Sequence, residues 1–233
     1  MSPLKAVIHA LGRAYIARLT ASEAAGQRFH SHNERAIEYR FVFDCLVRVR
    51  PITVLDVGTG TTALPSLIAS CGTVVTAIDN VRDYWPNGIF NRHWQVEDMD
   101  IRHPTPGRQY DLLTCVSMIE HVDDHQAAIR GMLALLNPGG HLVLTTPYNE
   151  RRAVPNVYVL PGAAYGQNAA YICRSTSRTE LDAWLSLGFA ILEQEYWRFW
   201  TGEVWTQGKP LPLPERSSRD RSHQLTCLLL RKT

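Results

Sequence analysis

The sequence predicts an α/β fold: a doubly wound, mostly parallel sheet of about seven strands, closed by an antiparallel pair of strands near the C-terminus. Three observations predict it. Five short apolar runs between residues 53 and 146 alternate with helix-length segments, the pattern of βαβ units covered on both faces. The first run ends in a glycine-rich turn, Gly58-Thr-Gly60. Two further apolar runs, 189–196 and 225–230, close the chain after a stretch without period.

Leu4, Val7, Ile8, Leu11, Tyr15 and Leu19 recur at helical spacing, with Lys5, His9, Arg13 and Arg18 interleaved, so the chain starts with a helix. This helix is basic and amphipathic, the pattern of a membrane-surface element, but is expected to pack as a cap over a site mouth. A second helix is expected from Asn33, its cap, to Val49, with Pro51 as its stop. Residues 1–50 thus read as an N-terminal helical cap on a domain spanning 51–233. The first strand is Thr53–Val57. A helix-length segment separates it from a second strand, 73–78, which ends in Asp79. A weaker third run covers 94–98 and a fourth covers 110–116. Residues 123–136 read as a helix, with Asp123 and Asp124 where the macrodipole favours acids. Pro138-Gly139-Gly140 stops it, and the fifth strand follows at 141–146. Residues 147–174, rich in Pro, Gly, Asn and Tyr, read as an insertion. Ser177 is placed to cap a helix over 178–187, with Gly188 at its end. The Pro/Arg/Ser-rich stretch of about 200–222 reads as a loop.

Composition bounds the rest. A chain of 233 residues with 45% apolar and 20% charged residues buries a core without metal or disulfide staples and is not a disordered tract. The formal net charge of +2 is too small for a polyelectrolyte partner, so no nucleic acid is expected. Cys45, Cys71, Cys115, Cys173 and Cys227 form no CxxC pair. They suit a reducing compartment and no zinc site. Lys5, His9 and Arg13 interrupt any signal-peptide core, and no run reaches the ~18–20 apolar residues of a span. A cytoplasmic protein without stable membrane insertion is the expectation. Arginine outnumbers lysine 21 to 3, which favours oxyanion recognition.

The chemistry concentrates around Val54-Leu-Asp56-Val-Gly58-Thr-Gly60. A glycine turn after a buried strand lets a ligand approach the backbone, and the following helix offers its N–H groups. Asp79 stands at the tip of the next strand, where a carboxylate suits a ribose diol. Gly58-x-Gly60-x-x-Ala63 also matches a dinucleotide fingerprint, so an NAD-linked oxidoreductase is the first rival. Asp56, two positions before the first glycine, speaks against a pyrophosphate and for an amine-bearing ligand. Glu97-Asp98 offers acceptors to an adenine amino group.

In Leu55-Asp-Val-Gly-Thr-Gly60, Ile78-Asp79, Glu97-Asp98, Tyr110-Asp111, Ser117-Met-Ile-Glu-His-Val122 and Asn137-Pro-Gly-Gly140, the sequence resembles the class I S-adenosylmethionine-dependent methyltransferases, in particular their small-molecule group. The resemblance covers roughly residues 50–146. It implies a Rossmann-like sheet, S-adenosyl-L-methionine as cofactor, and methyl transfer to oxygen or nitrogen of a small-molecule acceptor. It further implies that Asp56 lies near the methionine end and that Gly58, Thr59 and Gly60 make room for the cofactor. Asp79 with Asn80 would hold the ribose, Asp98 with Met99 the adenine, and Ser117 would line the floor. Thr62 departs from the pattern, standing where the family often has a third glycine. Asp111 lies at the opposite strand end and reads as structural. The motif expected of a base-amine methyltransferase, Asn/Asp-Pro-Pro-aromatic, is not present after the fourth strand.

On the acceptor side, His121 and Glu120 are the candidate catalytic residues. Methyl transfer is an in-line displacement that needs a base only for a hydroxyl nucleophile, and an imidazole titrates in the right range. His121 and His125 have i,i+4 spacing, but Asp123 is expected to start the helix after His121, so no metal is assigned. His30-x-His32-x-Glu34 reads as a helix start for the same reason. Arg82, Arg92, Arg102, Arg151, Arg152 and Arg174 gather on segments expected at the ligand edge, which points to an anionic or sugar-type acceptor. Surface charge is the competing explanation. Tyr148, Tyr158, Tyr165 and Tyr171, with the tryptophan-rich segment 197–205, are candidates for an aromatic lid, for core packing or for a dimer contact. A monomer or homodimer fits equally. A catalytically silent subunit that binds the cofactor is the second rival.

Overall fold

The computed structural model describes residues 2–29, 33–81, 85 and 91–233. Two compact units divide the chain, Met1–Asn33 and Glu34–Thr233. The first is a single helix, α1 (Pro3–Gly26), capped by the Ser2 side chain, which accepts from the Lys5 N–H, with Pro3 in the first turn. No helix among the described residues is long and apolar enough to cross a membrane.

The second unit begins with α2 (Arg35–Val49), so the second helix belongs with the sheet rather than with α1. Its cap position is Glu34, without a side-chain cap bond, not the expected Asn33. Glu38, Phe41, Val42, Cys45 and Leu46 form its buried stripe, the 3.6-residue period of a core-facing helix. Arg50 ends it in the left-handed region (φ 51°), its N–H donating to the Leu46 carbonyl, and Pro51 prevents continuation.

Strands β1 (Thr53–Val57), β2 (Val74–Asp79), β3 (Val96–Asp98), β4 (Tyr110–Val116) and β5 (Leu136–Asn149) are parallel, and helices α3 (Leu64–Ser70) and α4 (His125–Leu135) lie between them. Then come the two-residue β6 (Thr176–Ser177), α5 (Arg178–Leu185), β7 (Phe189–Trp200), β8 (Pro210–Ser217) and β9 (Leu225–Lys232). The sheet runs β3-β2-β1-β4-β5-β9-β7-β8, with β6 attached to the end of β5. The last strand β9 inserts antiparallel between β5 and β7, which is the expected antiparallel pair.

Side-chain alternation explains why the sheet is covered twice. Val54, Leu112, Val143 and Leu229 join one buried cluster with Phe41 and Val42 of α2 and Leu64 and Ile68 of α3. Their neighbours Leu55, Leu113, Leu142, Leu144 and Leu228 join the other, with Ile129 and Met132 of α4 and Leu181 and Trp184 of α5. Successive residues of a strand face opposite sides, so each run must be apolar throughout.

Three boundaries differ from expectation. β8 occupies the middle of the stretch expected to be a loop and brings the continuous path among the described residues to eight strands. Its Pro210, Pro212 and Pro214 lack N–H groups, which an edge strand tolerates and a central one does not. β5 begins at Leu136 rather than His141, with a register shift against β4 between Tyr110 and Leu112 that absorbs Asn137-Pro-Gly-Gly140. It also extends to Asn149, taking the first residues of the expected insertion into the sheet. α4 starts two residues late: Asp124 is its cap, accepting from the Ala127 N–H. The Ser177 cap is found as expected, in a capping box with Glu180, although the regular helix ends at Leu185, short of Gly188.

The tryptophan-rich segment is core, not lid. Phe199, Trp200 and Trp205 are buried in the first cluster. The turn that carries them is fastened by the buried Gln224 amide, which accepts from the Phe199 and Trp200 N–H groups and donates to the Gly202 carbonyl at 2.6 Å. The cysteines are free; Cys71 is exposed and the other four are buried.

Candidate active site

The carboxyl ends of β1, β2 and β4 open onto a cavity of about 680 Å³, the place where open α/β sheets hold ligands. Its walls include Gly58, Thr59 and Gly60 after β1, Asp79 and Asn80 after β2, and Met99 after β3. Ser117, Met118 and His121 after β4 and Tyr171 from the insertion complete the far side.

The glycine loop is held from three directions. Gly58 and Thr59 donate their N–H groups to the Ile78 carbonyl. Gly60 N–H donates to Asp79 Oδ2 at 2.7 Å. The Asn91 amide donates to the carbonyls of Gly60 and Thr62. At Gly58 (φ 72°) a Cβ would stand 2.0 Å from Met118 Cγ, so this position needs glycine both for its backbone and for its neighbour.

Asp56 does not line the large cavity. It is buried beneath the loop, where Oδ1 accepts from Thr114 Oγ1 and Oδ2 from Thr59 Oγ1, both at 2.6 Å. Burial raises its pKa against these two hydroxyl donors. These two bonds fix the Thr59 turn to the neighbouring strand β4. Asp79 is half-buried, and burial raises its pKa as well. Its Oδ1 accepts from the Trp85 indole at 3.0 Å. The Asn80 N–H bonds this carboxylate as well, and of its roughly four lone-pair sites acceptor capacity remains for a ribose hydroxyl.

Asp98 is displaced from its expected place: it is exposed, accepts from the Val81 N–H at 3.0 Å and is not part of the cavity wall. Met99 and Asp100 are. The Met99 N–H donates to the Asp79 carbonyl, tying the two strand tips together. Ser117 sits in the left-handed region (φ 46°), uncommon for a residue with a side chain, and its N–H donates to both oxygens of Thr145. Thr62, the departure from the glycine pattern, lines the cavity.

The two catalytic candidates separate. His121 ends a one-turn helix (Ile119–His121) and lines the cavity. Its Nδ1 lies 2.6 Å from the Ile172 carbonyl. A carbonyl only accepts, so the proton sits on Nδ1 and Nε2 keeps its lone pair. Burial depresses its pKa, and the Tyr171 ring packs edge-on at 4.8 Å. Glu120, by contrast, is 3% exposed, does not line the cavity, and is pushed up to about 8 by burial. It is an interior acid, set back from the cavity wall that holds His121. His125 does not line the cavity with His121; its ring packs against Trp184 at 5.5 Å.

Sequence reasoning missed Arg35 and Glu38. Arg35 lines the cavity beside the glycine loop, and its guanidinium pairs with Glu38 Oε2 at 2.7 Å. Glu38 is fully buried. Its Oε1 accepts from Ser117 Oγ and Thr145 Oγ1, each at 2.6 Å. The signal was available: Glu38 is a charged residue on the apolar stripe of α2, where only a partnered charge persists.

Among the described residues, the arginines expected at the ligand edge do not gather there. Of the described five, only Arg102 lines the cavity, and Asp100 grips it through both carboxylate oxygens. Arg174 pairs with Glu180, and Arg92, Arg151 and Arg152 are exposed, outside the cavity wall. Arg82, His30 and His32 lie outside the described residues. Of the four tyrosines of segment 147–174 only Tyr171 reaches the cavity; Tyr148 is fully buried and Tyr158 nearly so.

A family described as a methyltransferase domain matches residues 28–194. The ubiquinone biosynthesis O-methyltransferase of Coxiella burnetii (strain Dugway 5J108-111) is 31% identical over 119 residues, 48% of this chain and 50% of that protein. The chain therefore matches about half the length of the curated relatives. The solved structure of Burkholderia thailandensis 1,6-didemethyltoxoflavin-N1-methyltransferase, with bound 1,6-didemethyltoxoflavin and S-adenosylhomocysteine, is similar at a TM-score of 0.59. It covers 100% of this chain and 92% of its own, at 14% identity. N-methyltransferase NodS from Bradyrhizobium japonicum WM9, in complex with S-adenosyl-l-homocysteine, gives 0.50 over 85% and 87%, at 16% identity. At such identities the structures speak for the fold, and the family match sets the NAD-linked reading aside. Matched by that family over most of its length, the chain belongs to the class I S-adenosylmethionine-dependent methyltransferases.

Proposed function

We propose that the chain methylates a hydroxyl group of a small, uncharged acceptor, with His121 as general base. The observation that carries this reading is the His121–Ile172 hydrogen bond, which leaves a neutral imidazole with its lone pair at the cavity wall. The residues present fit the cofactor. The Gly58 and Gly60 backbone gives close approach, the Asp79 carboxylate retains acceptor capacity for a ribose, and Arg35 faces the cavity where an amino-acid carboxylate needs a cation. S-adenosylmethionine supplies an electrophilic methyl group with a neutral leaving group.

The chain's own residues do the rest. Gly58, Thr59, Gly60, Asp79, Asn80, Met99 and Ser117 form the cofactor side, while Asp56 and Asp98 hold the loop and strand tips in place. Met118, Val122 and Tyr171 exclude water around the acceptor. His121 Nε2 takes the hydroxyl proton as the new O–C bond forms. Among the described arginines Arg102 and Arg174 are paired with acids and Arg92, Arg151 and Arg152 are outside the cavity wall, so an anionic acceptor has little support; a hydroxylated ring against Tyr171 suits the wall better. The O-methyltransferase name of the Coxiella relative points the same way.

The test is His121→Asn, assayed with labelled S-adenosylmethionine against a panel of phenols, catechols and sugars. Turnover on hydroxyl acceptors is expected to fall by about 10²–10⁴-fold with S-adenosylhomocysteine affinity unchanged. The acid limb of the wild-type rate profile should vanish with it, since protonated imidazole accepts nothing. Full activity in the variant overturns the base assignment. Tight cofactor binding with no turnover on any acceptor favours the silent-subunit reading instead.

A further inference from the structure

We propose that α1 is an adsorption helix for anionic phospholipid surfaces. Taken by itself, the unit of residues 1–33 contains one 24-residue helix with no buried residue, so it has no core of its own. Leu4, Val7, Ile8, Leu11 and Tyr15 are each more than half exposed. At about 100° per residue they fall within an arc of roughly 100°. Five large apolar side chains on one stripe need a surface to cover them.

Charge selects which surface. Lys5, Arg13 and Arg18 are the charged residues of positions 2–22, and no acid occurs before Glu23. A helix arranged for its own stability would carry an acid in its first turn and keep Lys5 out of it. Here the first turn has none, so the cations are not there for the dipole. Lys5 and Arg13 lie away from the stripe but Arg18 falls within its arc, so two copies packed stripe to stripe would bury that charge without a counter-charge, which disfavours a homodimer seam. Anionic headgroups satisfy the cations while the stripe sinks into the acyl boundary, as amphipathic interfacial helices do. Ala6, Ala10, Ala14, Ala17 and Ala21 make the third face and supply the intrinsic propensity to stay helical before contact.

Co-sedimentation of the full chain with vesicles tests this. Binding is expected to phosphatidylglycerol–phosphatidylcholine vesicles and not to phosphatidylcholine alone, weakening at least about tenfold as salt screens the headgroups. Ile8→Ser with Leu11→Ser, and separately Lys5→Gln with Arg13→Gln and Arg18→Gln, should each lower the bound fraction about tenfold at low salt. S-adenosylhomocysteine binding should stay unchanged, which shows the variants folded. No pelleting of the parent chain with the anionic vesicles overturns the proposal, as does equal pelleting of either variant. Two further outcomes also overturn it, each without vesicle binding. One is a mass that doubles with concentration and is halved by the apolar variant, assigning the stripe to a second copy. The other is a lowered melting temperature in that variant, assigning it to residues 34–233.

Discussion

Glu38 shows how a buried charge earns its place at the residue scale. It has no exposed surface, yet it ends three short contacts, to Arg35, Ser117 and Thr145. Through Arg35 it reaches the cavity; through the other two it ties the residue after β4 to strand β5. If Arg35 meets the cofactor carboxylate, Glu38→Gln should loosen the guanidinium and weaken S-adenosylhomocysteine about tenfold, the scale of one charge-assisted hydrogen bond. Affinity for 5′-methylthioadenosine, which lacks the carboxylate, should hold. Arg35→Met should lose the same discrimination more completely; equal losses for both ligands in both variants would mean a general collapse of the pocket. Sequence inspection found Asp79, Ser117 and His121 because motif spacing placed them at strand tips. The family resemblance put Asp56 and Asp98 near the ligand, and a motif carries no information on which way a carboxylate turns. Asp56 finds two hydroxyls inside the fold, and its register partner Thr114 on β4 is not adjacent in sequence.

At the scale of elements, the two ends of the sheet do different work, and substitution should separate them. At the carboxyl end, Gly58→Ala puts a methyl against Met118 and forces a left-handed backbone on alanine, costing about 1–2 kcal/mol from the backbone alone. Cofactor affinity should fall with stability, as read by titration and thermal melting. At the amino end, Asp111 accepts from the N–H groups of Ile52 and Thr53, the Thr53 hydroxyl and the Asn137 amide. Those bonds hold its carboxyl below the usual range. Asp111→Ala should lower stability by about 1–3 kcal/mol and leave cofactor affinity where it was; a matching loss of affinity would show that the two ends are coupled. The central strands were legible because burial on both faces writes an unbroken apolar run. β8 was not, since its burial alternates weakly at the sheet edge and its prolines look like loop punctuation. The insertion was legible as irregular, but its key act, bringing the Ile172 carbonyl to His121, depends on pairing across 51 residues.

For the whole molecule, buried titratable groups set how stability responds to pH, and two of them pull in opposite directions. Glu120 is raised from 4.5 to about 8 by burial, so the folded chain holds a proton there that the unfolded chain has released. Stability is lost progressively as pH rises from 4.5 through 8. His125 is lowered from 6.5 to about 4, again by burial first. The unfolded chain binds that proton and the folded one refuses it, so stability is lost as pH falls from 6.5 towards 4. His121, His141 and His223 are shifted down as well, each chiefly by desolvation, and add to the acid limb. Between pH 6.5 and 8 only Glu120 acts among these groups, and at 1.36 kcal/mol per unit of displacement its share of that window is about 2 kcal/mol. Thermal melting should therefore show Tm falling by several degrees from pH 6.5 to 8. Glu120→Gln, which removes the proton without changing the shape of the side chain, should flatten that slope while the decline below 6.5 persists. An unchanged slope in the variant would show that Glu120 stays charged in the fold, and that Thr146 and the nearby Arg35 stabilise its carboxylate more strongly than burial opposes it.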